Sequence, residues 1–298
     1  MVEKNEMVKN YIISLARQIN EQYSGFIGED KVTKAIELFK DSSDSYEEII
    51  KKINDLVQTA IANYVEKQRR RFDPKLVENN HREIYDKLEI LVRKLNENQV
   101  DYQLAGALCS YIKYGCESKR THDDIDINLN EDDIAKFEKI CVEMGLRFQD
   151  NRLNSPRVLK NGILSGEHEV IATLDETDFH IGAFCFKRMS NGTVINKGYY
   201  HDENNLPCCR NDIIIPELAN EIFGREQVDF RGQKLYITPP EYVYRLKNFT
   251  KNAKDMVDLD FMKDKIDKDK LLKINRLSLN SHMELVKLDV QQSIERVR

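Results

Sequence analysis

Two aspartates, Asp124 and Asp126, have the residue type and spacing that point most clearly to chemistry. Polar and apolar residues alternate along the chain from Asp124 onward. Such alternation is typical of a half-buried strand, on which side chains two residues apart share a face, with Cα atoms about 6.5 Å apart. Neighbouring carboxylates repel each other as anions, and Mg²⁺, which prefers oxygen ligands, relieves that repulsion. The pattern therefore predicts a strand that presents a metal-binding acid pair.

Two flanking segments can complete a site around this pair. Upstream, the residues around Gly106 predict a strand end, a glycine turn and a short helix, whose first N–H groups can bind a triphosphate. Downstream, Asp178 begins an apolar strand, although Asp175 or Glu176 can take its place. Three acids around two Mg²⁺ ions about 3.5–4 Å apart can support phosphoryl or nucleotidyl transfer. The nucleotide-binding candidates of the upstream segment are Gly106, Ala107 and Ser110.

Cations and histidines surround the acidic strand in sequence. Lys119 and Arg120 precede it and can neutralise phosphate charge, although Arg120 fits equally well as a solvated loop cation. His122 is expected to anchor the loop rather than to carry a proton. His180 lies two residues beyond Asp178 on the same strand face, where it can contact an acceptor or donate a hydrogen bond to Asp178.

Composition excludes several classes of protein. The 298 residues suffice for two domains, and the net charge of −5 gives no global electrostatic case for nucleic acid. No apolar run is long enough to span a membrane, and the first residues do not predict a signal peptide. The six cysteines follow no metal-ligand spacing, which favours reduced, structural thiols. We therefore expect a cytoplasmic protein.

The chain divides into three regions by periodicity. Residues 1–98 predict a helical N-terminal region, with a capping box at Ser45 and a helix start at Pro74. The basic run at residues 67–71 suits the last turn of a helix, and the alternative is a small patch for phosphate or nucleic acid. Residues 99–238 alternate strands and helices, and residues 239–298 return to helix. The expected fold class is α/β (α+β): a mixed sheet with flanking helices plus helical N- and C-terminal regions.

Several turns and strands are predicted in the middle of the chain. Asn191-Gly192 is a strong hairpin signal, and Arg231-Gly232 predicts a second hairpin. A single strand is expected over residues 158–164, and another over residues 169–174. Together these elements supply the strands that a mixed sheet needs around the acid pair.

The run from Leu104 to Leu129 resembles the polymerase-β-type nucleotidyltransferase superfamily. It is most similar to the nucleotidyltransferases that modify aminoglycoside and lincosamide antibiotics, and to their uncharacterised relatives. That family has a Gly turn, then Arg-x-His-x-Asp-x-Asp, then a later Asp-x-His; here these are residues 120–126 and residues 178–180. One departure is Ala105-Gly106-Ala107, since the family usually has a second small residue or a Ser beside the Gly.

The resemblance implies a reaction and its ligands. It implies Mg²⁺ at Asp124, Asp126 and Asp178, an NTP such as ATP as the donor, and transfer of NMP to a hydroxyl group with release of pyrophosphate. It also covers the region up to residue 262, where Lys247 or Lys254 is expected to reach the phosphates. The acceptor expected from the relatives is a small molecule such as an antibiotic.

Two alternatives stay open from the sequence. One is a toxin-like nucleotidyltransferase that acts on tRNA or protein, which the basic run favours and the acidic net charge disfavours. The other is a non-catalytic nucleotide-binding module that keeps the fold. The long amphipathic N-terminal helices make a homodimer plausible, whereas no membrane partner is expected.

Overall fold

The computed structural model describes residues 2–22, 29–40, 42–150, 158–160, 163–165, 169–174, 179–201, 207–250 and 253–281. The chain forms two compact units. The helical unit comprises Met1–Asp73 and Pro156–Ser165, and the sheet unit comprises Pro74–Ser155 and Gly166–Arg298.

Helices and strands follow one another in an order that matches most of the predicted elements. The helices are α1 Val2–Gln22, α2 Glu29–Lys40, α3 Tyr46–Arg71, α4 Pro74–Glu97, α5 Gly106–Lys113, α6 Ile134–Glu143, α7 Pro216–Phe223, α8 Pro240–Thr250, α9 Ala253–Met262 and α10, residues 268–281. The strands are β1 Tyr102–Leu104, β2 Asp124–Asn130, β3 Arg147–Asp150, β4 Val158–Lys160, β5 Ile163–Ser165, β6 Glu169–Thr173, β7 His180–Arg188, β8 Val194–His201, β9 Pro207–Ile214, β10 Glu226–Phe230 and β11 Gln233–Ile237. Strand β3, strand β9 and helix α7 were not predicted.

The helical unit packs α1, α2 and α3 around a small core of their own. The predicted capping box is present, since Glu48 N–H donates to Ser45 Oγ (3.2 Å) and Ser45 N–H donates to Glu48 Oε2 (2.8 Å). The last turn of α3 carries Arg69, Arg70 and Arg71, where cations suit the helix dipole. The buried side chains of this core are Val8, Ile12, Phe39, Ile49 and Ile53.

The single strand expected over residues 158–164 was wrong. The structure has two short antiparallel strands, β4 and β5, in which Leu159 pairs with Leu164, and they form a sheet of their own. Between them the sequence reads Asn161-Gly162, the dipeptide favoured in two-residue hairpin loops. A polar turn signal between two short apolar pairs favours two strands over one.

The sheet unit is built on a mixed sheet of nine strands among the described residues. Its main path runs β10-β11-β1-β2-β7-β6-β3, and β8 and β9 extend it from β7. Strand β2 lies inside the sheet, antiparallel to β1 and parallel to β7. Both predicted hairpins are confirmed, since β7 pairs with β8 and β10 pairs with β11. A mixed sheet with flanking helices confirms the expected fold class.

Two cores cover this sheet. The larger core contains the apolar side chains of β2 together with those of α4, α5 and α6. Burial of each fully buried Leu of α4 stabilises the folded state by about 2 kcal/mol relative to an exposed Leu. Helix α4 therefore packs in the core of the sheet unit. The smaller core joins Phe186 of β7 to α7 and to Ile274 of α10. Within the described residues, no helix is both long and apolar enough to cross a membrane.

Candidate active site on the acidic strand

Strand β2 places its residues as the alternation predicts. Ile125, Ile127 and Leu129 are fully buried, whereas Asp124 and Asp126 are only partly buried. Because side chains alternate along a strand, the two carboxylates lie on the face opposite the larger core. One face of β2 therefore packs in the core, and the other face carries polar side chains.

A glycine turn lies directly against Asp126. Ala105 N–H donates to the Asp126 carbonyl oxygen (2.7 Å), and helix α5 begins at Gly106. Gly106 has a φ of +65°, and a Cβ at this position would lie 2.5 Å from Asp126 Oδ2. Only glycine satisfies both the backbone conformation and the space. The carboxylate therefore lies beside the N-terminus of α5, where Ala105 supplies no capping side chain.

His180 lies beside Asp124 on the next strand. The two residues are directly paired between β2 and β7, and His180 N–H donates to the Asp123 carbonyl oxygen (3.3 Å). His180 Nε2 is 3.9 Å from Asp124 Oδ2, which is ion-pair range for a protonated ring and too long for a hydrogen bond. His180 is therefore close enough to share a ligand with Asp124.

The same sheet face continues past the acids. Gly182 pairs with Asp126, and Phe184 pairs with Asn128, whose Nδ2 donates to Thr238 Oγ1 (3.0 Å). Phe184 is 40% exposed although its strand is interior to the sheet. An aromatic ring on β7 and an amide on β2 thus lie two residues beyond Asp126, and the amide donates to Thr238, the residue after β11.

The loop before β2 is buried and closely hydrogen-bonded. Ser118, Arg120 and His122 are each no more than 5% exposed. The Oγ of Ser118 donates to the Arg120 carbonyl oxygen (2.8 Å) and contacts His122 Nε2 at 2.7 Å. Asn80 of α4 accepts from His122 N–H (2.7 Å) and donates to its carbonyl oxygen (2.9 Å). These contacts make His122 an anchor of the loop.

A second acid pair, Asp255 and Asp258 on α9, is buried against cations. The Arg120 guanidinium donates to both Asp258 oxygens, with Nη2 to Oδ2 at 3.0 Å. Lys247 Nζ lies 2.7 Å from Asp255 Oδ1 and 2.9 Å from Asp258 Oδ2. Burial would lower the pKa of Arg120, but the adjacent Asp258 outweighs burial and raises it. Arg120 and Lys247 thus contact α9 acids.

The other predicted site residues differ in how buried they are. Ala107 and Ser110 are buried in α5, and the Ser110 Oγ lies 3.8 Å from Cys109 Sγ. Lys119 is exposed, and Lys254 is partly exposed. Asp178, Asp175 and Glu176 lie outside the described residues. The structure therefore brings together Gly106, Asp124, Asp126 and His180.

Sequence reasoning missed the residues that hold the loop. Asn80 and Tyr111 contact residues 42 and 147 positions away, respectively. Their only sequence signal is a polar group on an otherwise apolar helix face. Periodicity describes a single element and not its distant partner, so it does not indicate these contacts.

The residues present fit a divalent cation. Carboxylate oxygens are the donors that Mg²⁺ prefers, and glycine at position 106 leaves the space beside Asp126 that a Cβ would fill. Among the described residues there is no group of three or more metal-ligating side chains. Asp124 and Asp126 would hold the metal, and Asp178 is the third ligand expected from the sequence.

Comparisons with known proteins give structural matches only. No family model matches, and no curated protein matches. The antibiotic-resistance factor ANT(2'')-Ia aligns at 10% identity over 71% of this chain and 99% of its own, with a TM-score of 0.44. The lincosamide antibiotic adenylyltransferase LnuA aligns at 12% identity over 60% and 95%, with a TM-score of 0.41. A nucleotidyltransferase-like protein from Paracoccidioides brasiliensis aligns at 13% identity over 72% and 92%, with a TM-score of 0.37.

Proposed function

We propose that the protein is a Mg²⁺-dependent nucleotidyltransferase that transfers NMP from an NTP to a hydroxyl group and releases pyrophosphate. The observation that carries this proposal is the contact between the Gly106 turn and Asp126. It sets the N-terminus of a helix, which favours phosphate, beside a carboxylate pair, which favours a divalent cation. An acid pair that served only as a solvated surface would not need a glycine fitted against it.

The donor binds on the β1 side of β2. The first N–H groups of α5 face the triphosphate, and the departure from the family pattern leaves this task to the backbone. Lys119 and Lys254 are the lysines proposed to approach the phosphates, because both have exposed surface. We assign Arg120 and Lys247 to positioning, because Asp255 and Asp258 already take up their charges.

The metal site is formed by Asp124, Asp126 and Asp178, with two Mg²⁺ ions as the expected occupancy. When bound, the ions neutralise phosphate charge and lower the pKa of an attacking hydroxyl group. The chain's own part is to hold the Asp124 and Asp126 carboxylates at fixed positions on an interior strand. That fixed geometry supplies the positioning on which phosphoryl transfer depends.

The acceptor approaches on the β7 side, opposite the donor. The attacking oxygen forms a bond to the α-phosphorus, the bond to the bridging oxygen breaks, and pyrophosphate leaves in line. We assign His180, 3.9 Å from Asp124, to take the proton of the acceptor hydroxyl group, and the exposed ring of Phe184 to contact the rest of the acceptor. A small molecule such as an antibiotic suits one exposed ring beside a few polar groups.

Transfer of a labelled nucleotide tests this function. The protein would be incubated with each α-³²P-labelled NTP and Mg²⁺, together with an aminoglycoside, lincomycin, total tRNA or a protein extract. We expect a labelled small molecule, formed by transfer of the labelled NMP, together with unlabelled pyrophosphate, and no labelled product from Asp126→Asn. Label on tRNA or protein would favour the toxin-like alternative, and NTP binding without any transfer would favour the non-catalytic one. A cytoplasmic location and a homodimer also stay predictions.

A further inference from the structure

The loop of residues 118–123, which we name the Arg120 loop, leads directly into Asp124. Its backbone is clamped from one side by Asn80 of α4 and internally by Ser118. The contact of its arginine with α9 spans 138 residues of sequence. The position of the first acid of the candidate site is therefore connected to the C-terminal helices.

Asp258 holds the guanidinium in a two-pronged contact. Arg120 Nε lies 3.2 Å from Oδ1, and Nη2 lies 3.0 Å from Oδ2, while Nη1 donates to the Thr121 carbonyl oxygen (3.0 Å). Tyr111 OH donates to the same carboxylate (3.0 Å), and Lys247 lies against it. Asp258 is 0% exposed. This bidentate geometry fixes the orientation of the Arg120 guanidinium and neutralises its charge.

A second carboxylate also acts on this guanidinium. After Asp258, the charge of Asp124 raises the pKa of Arg120. Arg120 lies four residues before Asp124, in the loop that leads into β2, and its guanidinium contacts the buried acid on α9. A guanidinium released from α9 would have Asp124 as an alternative partner, and it would compete there with a divalent cation for the same oxygens.

We propose that Asp258 is a positioning residue that retains Arg120 on α9 and so keeps the Asp124 carboxylate available to the metal ion. This inference rests on the proposed function, since it needs a metal at Asp124. The inference predicts that loss of the Asp258 carboxylate weakens metal binding in addition to lowering the stability of the fold. An ion pair that only stabilised the fold would change the melting temperature and leave metal affinity as it was.

Mn²⁺ is a suitable probe, because carboxylate sites bind it and EPR spectroscopy counts the free ion. We would titrate the full chain, Asp258→Asn, Arg120→Met and the double variant. Asp258→Asn should weaken Mn²⁺ binding about tenfold, the scale of one charge-assisted hydrogen bond. The double variant should regain the affinity of the unmodified protein, because the competing guanidinium is gone.

Tyr111→Phe is the matched control, because it removes a hydrogen bond to Asp258 and leaves both charges in place. It should bind Mn²⁺ like the unmodified protein. If Asp258→Asn does not fold, Arg120→Met alone still tests the inference. This variant should bind Mn²⁺ at least as tightly as the unmodified protein.

Three outcomes would overturn the inference. They are unchanged Mn²⁺ affinity in Asp258→Asn, a double variant as weak as Asp258→Asn, and weaker binding by Arg120→Met. If the unmodified protein binds no Mn²⁺, the proposed metal site itself fails, and the inference fails with it.

Discussion

Two pairs of aspartates in the sheet unit have opposite surroundings. Asp255 and Asp258 are buried on α9, where Arg120, Lys247 and Tyr111 contact them. Asp124 and Asp126 lie on an interior strand with part of their surface accessible; Asp124 is 28% exposed and lies 3.9 Å from His180. One pair is neutralised by the chain's own cations, and the other faces the turn that begins α5.

Under the proposed function, this difference in surroundings separates structural from functional acids. A buried carboxylate needs a cation in place at all times, because an unpaired charge in the interior is costly. A carboxylate pair on an accessible sheet face can receive its cation from solution. Under the proposed function, the buried pair belongs to the framework of the site, and the accessible pair belongs to its chemistry.

The largest expected effect follows from removing an acid of the accessible pair. Asp124→Asn or Asp126→Asn should lower the turnover rate about a thousandfold, equivalent to the several kcal/mol that a metal ion contributes to the transition state. The folded state should not be destabilised, since the substitution relieves repulsion between anions. Pyrophosphate release and circular-dichroism melting measure the two quantities. Retained activity in both variants would contradict the metal site.

The buried pair should show the reverse behaviour. Asp258→Asn leaves Arg120 and Lys247 with less negative charge and should cost about 3 kcal/mol of unfolding free energy. Tyr111→Phe, which removes only one hydrogen bond to the same carboxylate, should cost about 1 kcal/mol. Urea unfolding monitored by circular dichroism gives both values. Equal costs for the two variants would show that the ion pairs do not stabilise the fold.

Gly106 and Gly115 allow a matched test at the accessible pair. Both have positive φ, but a Cβ would meet Asp126 only at Gly106, and nothing lies within 4 Å at Gly115. Each alanine variant should lose about 1 kcal/mol through backbone strain. Only Gly106→Ala should also lose activity, about a hundredfold, because the carboxylate must shift. Similar activity in the two variants would remove the Gly106 contact from the site.

The smallest effect concerns a third neutralised acid, Glu226. Burial alone would raise its pKa, but Lys113 and Lys270 outweigh burial, so the folded pKa lies below the usual 4.5. Its contribution is therefore present above pH 4.5 and is lost as the pH falls through the lower folded value. Glu226→Gln should flatten this part of the stability–pH curve by less than about 1 kcal/mol. Melting temperatures between pH 3 and 7 would test it, and parallel curves would refute it.

Local patterns predicted the parts of the site that lie within one element. The alternation around Asp124 predicted the strand and its polar face, and Gly106 marked the turn into α5. The capping box at Ser45 and the helix start at Pro74 are also properties of a few adjacent residues. Such features can be predicted because the interactions that decide them span one turn or one strand.

Long-range partners could not be predicted in the same way. Nothing near Arg120 in the sequence indicates that its guanidinium contacts Asp258 rather than a phosphate. The same holds for Asn80, whose amide clamps His122. These contacts depend on how α4 and α9 pack on the sheet. The sequence shows that a charged residue is present, but its contacts, and therefore its role, can be assigned only from the fold.

Nucleotide binding by the unmodified protein and by Asp126→Asn tests the central claim most directly. Melting temperatures would be measured with ATP, GTP, CTP and UTP, each with and without Mg²⁺. The proposed function predicts a Mg²⁺-dependent rise with at least one NTP in the unmodified protein, because a ligand that binds only the folded state stabilises it. Asp126→Asn should show no such rise. No rise with any NTP in the folded protein, or an equal rise in Asp126→Asn, would contradict a nucleotide and metal site at this strand.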